Sequence, residues 1–454
     1  MSRLFPFPAP LFLCAVLVAA AGLVSAADPP RSPGEEPAVD ANPPESTERP
    51  FVQLKSQDTV PTVRAIVPLD GANVFFLNHR GQIGIAKFSP GMSQIGWQFY
   101  SEVKLSALPA IAIGPRYSVI TASPNEVTQA FDTNKDVALD FFQALVRDWV
   151  GRDTGVVITA GPVADPFGRI LFALSPSSAG AAEPALARIV AWHPAAKEPV
   201  TVTESELRVE AFAVNRAGLL AARLHMPDYP DGYFLSLTAL PPFVADRPDA
   251  APTPLPKTLP SLVIPAEMTR KSPPTQLCFF EEDDREKLLL TCPGSRRLIE
   301  VTPDNVGAVW QGSLLLRAET ASPIHALAEM SPGMILGGGE NGFVPLTGTA
   351  EPYRITRLAL AGDGIVLDLN RPVNRLEAAQ PGNYLVKALA ATGSTDLPVS
   401  EVVIESDGGT VVLKTDAIPV GTVLRVLCKN LPSEKGEPLL DPECFYTLHA
   451  REGE

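Results

Sequence analysis

IVPLDGANVFFLN, residues 66–78, is a short apolar run, a tight turn built on Asp70 and Gly71, and a second apolar run. The same unit returns as IAIGPRYSVITAS (111–123), GPVADPFGRILFALS (161–175), FAVNRAGLLAARL (212–224), CFFEEDDREKLLLTC (278–292) and LAEMSPGMILGGG (327–339). A strand–turn–strand unit cannot bury both of its faces alone, so copies of it must stack or close around an axis. The turn anchors Gly71, Gly114, Gly168, Gly218, Asp284 and Gly333 recur at intervals of roughly 45–65 residues, within the range that blade sizes take. Six copies over residues 51–350 predict an all-β chain folded as a six-bladed β-propeller.

Beyond that region the pattern changes. ITRLALAGDGIVLDLNRPVN, GNYLVKALA, SEVVIESDGGTVVLKTD and GTVLRVLCKNL alternate in polarity and are punctuated by GDG and DGG turns. This spacing predicts an immunoglobulin-like β-sandwich over residues 353–454. At the other end, Arg3 and the apolar run LFLCAVLVAAAGLV form a signal peptide over residues 1–27, with small residues for cleavage after Ala26 or Ala27. No stop-transfer charge cluster follows it, so no membrane span is expected after cleavage. Residues 28–50 are rich in proline and acid and have little to bury, which predicts a disordered linker. Export follows, to the periplasm, the medium or the cell surface. The formal charge is −14, from 37 basic and 51 acidic residues, without a basic cluster. That balance excludes nucleic acid and anionic membrane surfaces as natural partners.

Four cysteines remain after cleavage: Cys278, Cys292, Cys428 and Cys444. Sequence proximity pairs Cys278 with Cys292, facing each other across a hairpin, and Cys428 with Cys444; four buried thiols are the alternative. Residues 137–150, VALDFFQALVRDWV, place Phe141, Phe142, Leu145, Val146 and Trp149 at helical spacing. They read as a short helix or as an aromatic outer strand. The proline-dense stretch Pro241–Pro274 reads as a long connection laid over one face of the propeller.

Candidate chemistry is sparse. Asp132, Asn134, Asp136 and Asp140 place oxygens at positions 1, 3, 5 and 9 of a calcium-type loop. Val137 stands where that loop needs glycine and Gln143 where it needs glutamate, so an acidic hairpin turn is the competing reading. GGGENG (337–342) matches a dinucleotide fingerprint in letters, but no helix can follow it in FVPLTGTAEP. The histidines at 79, 193, 225, 325 and 449 form no zinc-binding pattern, and no G-x-S-x-G nucleophile elbow occurs. Trp97, Trp149, Trp192 and Trp310 could stack on sugar rings but are better explained by blade packing.

Several strings are similar to a known family. DGIVLDLNRPVN followed by GEPLLDPECFYTLH resembles the closing domain of exported planctomycete-type glucose/sorbosone dehydrogenase-like proteins, also labelled membrane-bound dehydrogenases. TQAFDTNKDVALD, AGPVADPFGRILFALSPSS and VIPAEMTRKSPP resemble that family's propeller strings, and the likeness runs through residues 53–449 in order. It implies a six-bladed propeller related to quinoprotein sugar dehydrogenases, without the cytochrome c module of longer relatives. The family's catalytic histidine falls at Val156, and valine cannot accept a proton. His225, with Asp228, is the remaining candidate base.

The sequence therefore reads as a degenerate propeller, non-catalytic or weakly catalytic, that binds carbohydrate or an envelope protein and needs no cofactor. The alternatives are a dehydrogenase using pyrroloquinoline quinone (PQQ) and calcium, and a structural component of a cell-surface assembly.

Overall fold

Each of the six sequence units is the first hairpin of a separate antiparallel sheet. The computed structural model describes residues 61–89, 95–101, 103–146, 155–176, 186–193, 199–224, 232–241, 253–254, 261–307, 309–346, 351–362, 364–390 and 393–451. The signal and linker expected over residues 1–50 lie outside the described residues, as does His225. Among the described residues no helix is long and apolar enough to cross a membrane.

The innermost strands are Val63–Pro68, Ile111–Ile113, Val156–Ala164, Val209–Val214, Gln276–Glu282 and Ile324–Ser331. Each touches the next, and the last touches the first, which closes a propeller-like ring. Six apolar cores between adjacent sheets explain the closure, because each sheet buries both faces against its neighbours. Phe75 and Tyr100 of the first sheet meet Ile111 and Val119 of the second. Leu171 and Ile189 of the third meet Phe212 and Leu220 of the fourth. At the closing seam Val63, Phe76 and Trp97 pack against Ala326, Met330 and Phe343.

Local turn chemistry sets the hairpins. In DPFG (165–168) the Asp165 carboxylate accepts the Phe167 and Arg169 N–H groups at 2.9 and 2.8 Å. In NRAG (215–218) the Asn215 side chain accepts the Leu219 N–H at 2.5 Å. Gly168 and Gly218 hold φ at 76° and 84°, a region glycine enters without strain.

The glycine run 337–339 owes its composition to close approach. A Cβ on Gly338 would stand 2.5 Å from Val63 Cγ1 and 2.9 Å from Ile66 Cδ1 across the closing seam. Gly338→Val is therefore expected to destabilise the chain by about 1–3 kcal/mol through overpacking. Gly71→Ala, where nothing lies within 4 Å of the new Cβ, should stay within about 0.5 kcal/mol. Urea unfolding of both variants checks this pair.

Residues Phe141–Val146 are a strand paired with Glu126–Phe131, so the aromatic outer strand is the observed alternative and the helix is not. Residues 147–150 lie outside the described residues. Of the proline-dense stretch, residues 242–252 and 255–260 lie outside the described residues, and two described pieces are strands. Leu262–Pro265 is the outer strand of the fourth sheet, and Thr253–Pro254 adds a parallel edge to the third. Outer positions tolerate proline because its missing N–H faces away from the ladder.

The C-terminal region is a two-layer sandwich, joined to the ring by a shared sheet. Its first layer orders Ile355–Ala361, Gly364–Leu369, Thr410–Thr415 and Val399–Ile404. The second continues the fifth sheet outward: Val309–Glu319 pairs with Glu443–Leu448, followed by Thr422–Cys428, Tyr384–Ala390 and Gly393–Leu397. Leu358, Leu367 and Leu413 of one layer meet Val386, Leu424 and Val426 of the other. A buried ion network reinforces the junction. Glu300, fully buried, binds Lys287 at 2.7 Å, Arg317 at 3.0 Å and Arg354 at 3.6 Å.

The disulfide expectation is corrected: all four cysteines are free thiols. Cys278 pairs in register with Leu289, three residues short of Cys292. The two side chains also face opposite cores, Cys278 toward the sixth sheet and Cys292 toward the fourth. Cys444 stands opposite Val426, which leaves Cys428 at a diagonal position in the same core. Burial pushes the Cys278, Cys292 and Cys428 thiols up to about 12, so they remain protonated hydrophobes at neutral pH.

Candidate functional site: the axial cavity

Where the six inner strands converge on one axis, they surround a cavity of about 370 Å³. Its wall is the open edge of those strands: runs such as residues 65–68 and 159–164 line it, while the side chains of Ala65, Ala112, Ala160, Ala213, Leu277 and Ala328 are buried in the cores between sheets. Thr159, a polar group in the wall, donates its hydroxyl to the Val209 carbonyl at 2.8 Å.

Charge is concentrated where the inner strands of the fourth, fifth and sixth sheets run into their first turns. Glu281, Glu286 and Glu329 meet Asn215 and Arg216 there. The Asn215 amide donates to the Glu286 carboxylate. Glu329 accepts the Glu281 N–H at 2.9 Å and the Gly333 N–H at 3.3 Å. Arg216 reaches Glu329 only at 3.5 Å, and its side chain is 73% exposed. Partial burial raises the Glu286 carboxyl above its usual range; the Asn215 hydrogen bond opposes this, and the neighbouring Glu329 and Glu281 add to it. The mouth thus carries three carboxylates against one solvated guanidinium.

The residues singled out in the sequence lie elsewhere. Val156 packs into the core between the second and third sheets, away from the cavity. His325 is half-buried near Arg64 and Glu340, and none of the described residues lining the cavity is a histidine. Trp97 is buried in the closing seam, as blade packing requires, and Trp192 and Trp310 pack against inter-sheet cores. Trp149 lies outside the described residues.

Asp132, Asn134, Asp136 and Asp140 form the turn between the third and fourth strands of the second sheet. Their oxygens serve that turn: Asp132 accepts the Val137 N–H at 3.0 Å, and Asp140 accepts the Thr133 N–H and hydroxyl at 2.9 and 2.8 Å. Among the described residues no group of three or more histidine, cysteine, aspartate or glutamate side chains is placed to hold a metal ion.

Asn215, Arg216, Glu281, Glu286 and Glu329 were not anticipated from the sequence. Their common signal was position, since all lie at or beside the first turn of a repeated unit.

No protein-family model matches the sequence, and no curated protein matches it. Among solved structures the fold is similar to a glucose dehydrogenase, at 13% identity and a TM-score of 0.43, covering 65% of this chain and 99% of that one. The holo pyranose dehydrogenase PQQ domain from Coprinopsis cinerea matches at 11% identity and a TM-score of 0.40, covering 65% and 97%. The S-layer protein SbsC matches at 17% identity and a TM-score of 0.20; the alignment covers 22% of this chain and spans only 14% of that one.

Proposed function

We propose that the chain is an exported six-bladed β-propeller with an immunoglobulin-like sandwich, and that it binds a ligand at its axial cavity without redox chemistry. One observation carries this reading: the mouth of the cavity presents Glu281, Glu286 and Glu329, with Arg216 as the sole cation among the described lining residues. PQQ is a tricarboxylate. A site for it needs cations and amides turned inward, and a sugar dehydrogenase also needs a base beside the reacting hydroxyl. The residues lining this cavity do not fit that group, because their charge has its sign. They do fit a binding pocket that mixes polar and apolar surface, with charged groups at its opening.

Dye-coupled oxidation of an aldose panel by the full mature chain, after incubation with PQQ and calcium, should show no turnover. Val156→His should not restore it, since a lone base contributes only when the rest of the site is already positioned. Turnover that is lost in His225→Ala would replace this reading with the dehydrogenase one.

A further inference from the structure

We infer that the sixth sheet is completed by the chain's own N-terminal segment: residues 51–55, FVQLK, add as a fourth strand along Gly342–Pro345 and latch the ring. The other five sheets each carry a fourth strand outside the third, namely Ile95–Ser101, Phe141–Val146, Val200–Ser205, Leu262–Pro265 and Val309–Glu319. Among the described residues the sixth has three, and no strand pairs with the outer side of Gly342–Pro345. Each of the five fourth strands runs on into the innermost strand of the next sheet, through connections from three residues (206–208) to ten (266–275). The equivalent strand of the sixth sheet therefore ends shortly before Val63, where the first innermost strand begins. Residues before 61 lie outside the described residues, but their sequence leaves one window. Residues 28–50 are proline-dense, and SQDTVPT (56–62) is mostly polar with a proline near its end. Between them FVQLK alternates apolar Val52 and Leu54 with polar Gln53 and Lys55, and it leaves a connection of seven residues, 56–62.

The edge and its surroundings fit such a strand. Gly342 stands opposite Gly339 and Val344 opposite Gly337, and the Leu346 N–H donates inward to the Ile335 carbonyl at 2.9 Å. By alternation the backbone N–H and C=O of Phe343 point outward, on a residue that is itself buried. Backbone groups in that position require partners. Next to this edge, Ile95, Trp97 and Phe99 on the fourth strand of the first sheet turn toward the sixth. Ile95 and Phe99 are only half-buried, and the buried indole N–H of Trp97 has no acceptor among the described residues. A fourth strand opposite them brings both apolar cover and backbone carbonyls. The chain's own segment reaches the edge at the cost of one short loop. A second copy, with its formal charge of −14, would have to overcome association entropy and like-charge repulsion. The latch is independent of what the axial cavity binds.

The test is hydrogen exchange of the full mature chain, read residue by residue by mass spectrometry at low and at high micromolar protein. Amides in residues 51–55 and at Phe343 should exchange at least about a hundredfold more slowly than those of residues 28–50, equally at both concentrations. The double variant Val52→Pro, Gln53→Pro removes one ladder donor whatever the register, because successive N–H groups point to opposite sides of a strand. It should speed exchange at Phe343 about tenfold or more and shift tryptophan emission to the red. Ala41→Pro, in the preceding linker, should change neither. Residues 51–55 exchanging as fast as residues 28–50 in the unaltered chain would overturn the latch. Protection of Phe343 that appears only at the higher concentration would also overturn it and assign the edge to a second copy. Unchanged exchange at Phe343 in the double variant would show that another occupant holds the edge.

Discussion

Glu300→Ala is expected to cost the folded chain about 3–5 kcal/mol, because it strands three buried cations. Glu300 has no exposed surface and receives Lys287, Arg317 and Arg354, which are themselves nearly buried. The remaining carboxylates of the network are Glu282 and Glu351, and both reach solvent. The mutation therefore leaves positive charge in a low-dielectric junction without its central counter-ion. Out of a typical total of about 5–15 kcal/mol, such a loss would bring the chain close to unfolding at 37 °C. Glu300→Gln keeps one acceptor and should cost less. The urea midpoint of both variants measures it, and an alanine variant within 1 kcal/mol of wild type would show that the network contributes little. The same network predicts acid sensitivity. Burial would raise the Glu282 carboxyl, but hydrogen bonds from Arg317 and Lys287 overcome it and hold it at about 2, below its ordinary 4.5. A depressed carboxyl stabilises the fold fully above its unfolded value and loses that contribution as pH falls. Stability should therefore drop between pH 4.5 and 2, and drop less in Glu282→Gln.

The second large effect lies at the seam that closes the ring. Phe76 is fully buried and meets Trp97 edge-on at 5.9 Å and Phe343 at 5.3 Å, so its ring joins the first sheet to the sixth. The sheet is shaped to hold it, since a Cβ on Gly84 would lie 2.1 Å from the Phe76 ring. Phe76→Ala should cost about 3–5 kcal/mol in lost burial and an uncollapsed cavity. It should also shift the fluorescence of Trp97 toward that of a solvated indole. Phe141, also aromatic and on a strand, is 51% exposed. Phe141→Ala should therefore change stability by no more than about 0.5 kcal/mol. Equal, small effects at the two positions would mean that the first and sixth sheets do not seal the ring.

The contrast between these phenylalanines marks what could be read from the sequence. The six hairpins were legible because their cause is local: Asp165 and Asn215 cap their own turns and Gly168 and Gly218 supply the backbone conformation within four residues. Which face a residue presents was less legible. Cys278 and Cys292 are neighbours in sequence on paired strands, yet their offset of three residues puts them in different cores. The spacing of Phe141, Phe142 and Leu145 left helix and outer strand both open because a strand at the edge of a sheet need not alternate strictly in polarity. The cavity could not be read at all. Asn215 meets Glu286 across 71 positions and Arg216 meets Glu329 across 113, and each is an ordinary polar residue beside a turn. The sandwich was legible as strands, but not its fusion to the fifth sheet, where Tyr446 takes the Gln311 amide across 135 positions.

The proposed function requires the axial cavity to repel a quinone tricarboxylate and to serve binding alone. Calorimetric titration of PQQ with calcium into the full mature chain at low ionic strength tests it most directly, because low salt magnifies the interaction of the mouth with an anion. No saturable binding is expected up to high micromolar quinone. Stoichiometric micromolar binding, tightened when Glu286 and Glu329 are changed to glutamine, would place the cofactor at this mouth and overturn the proposed function.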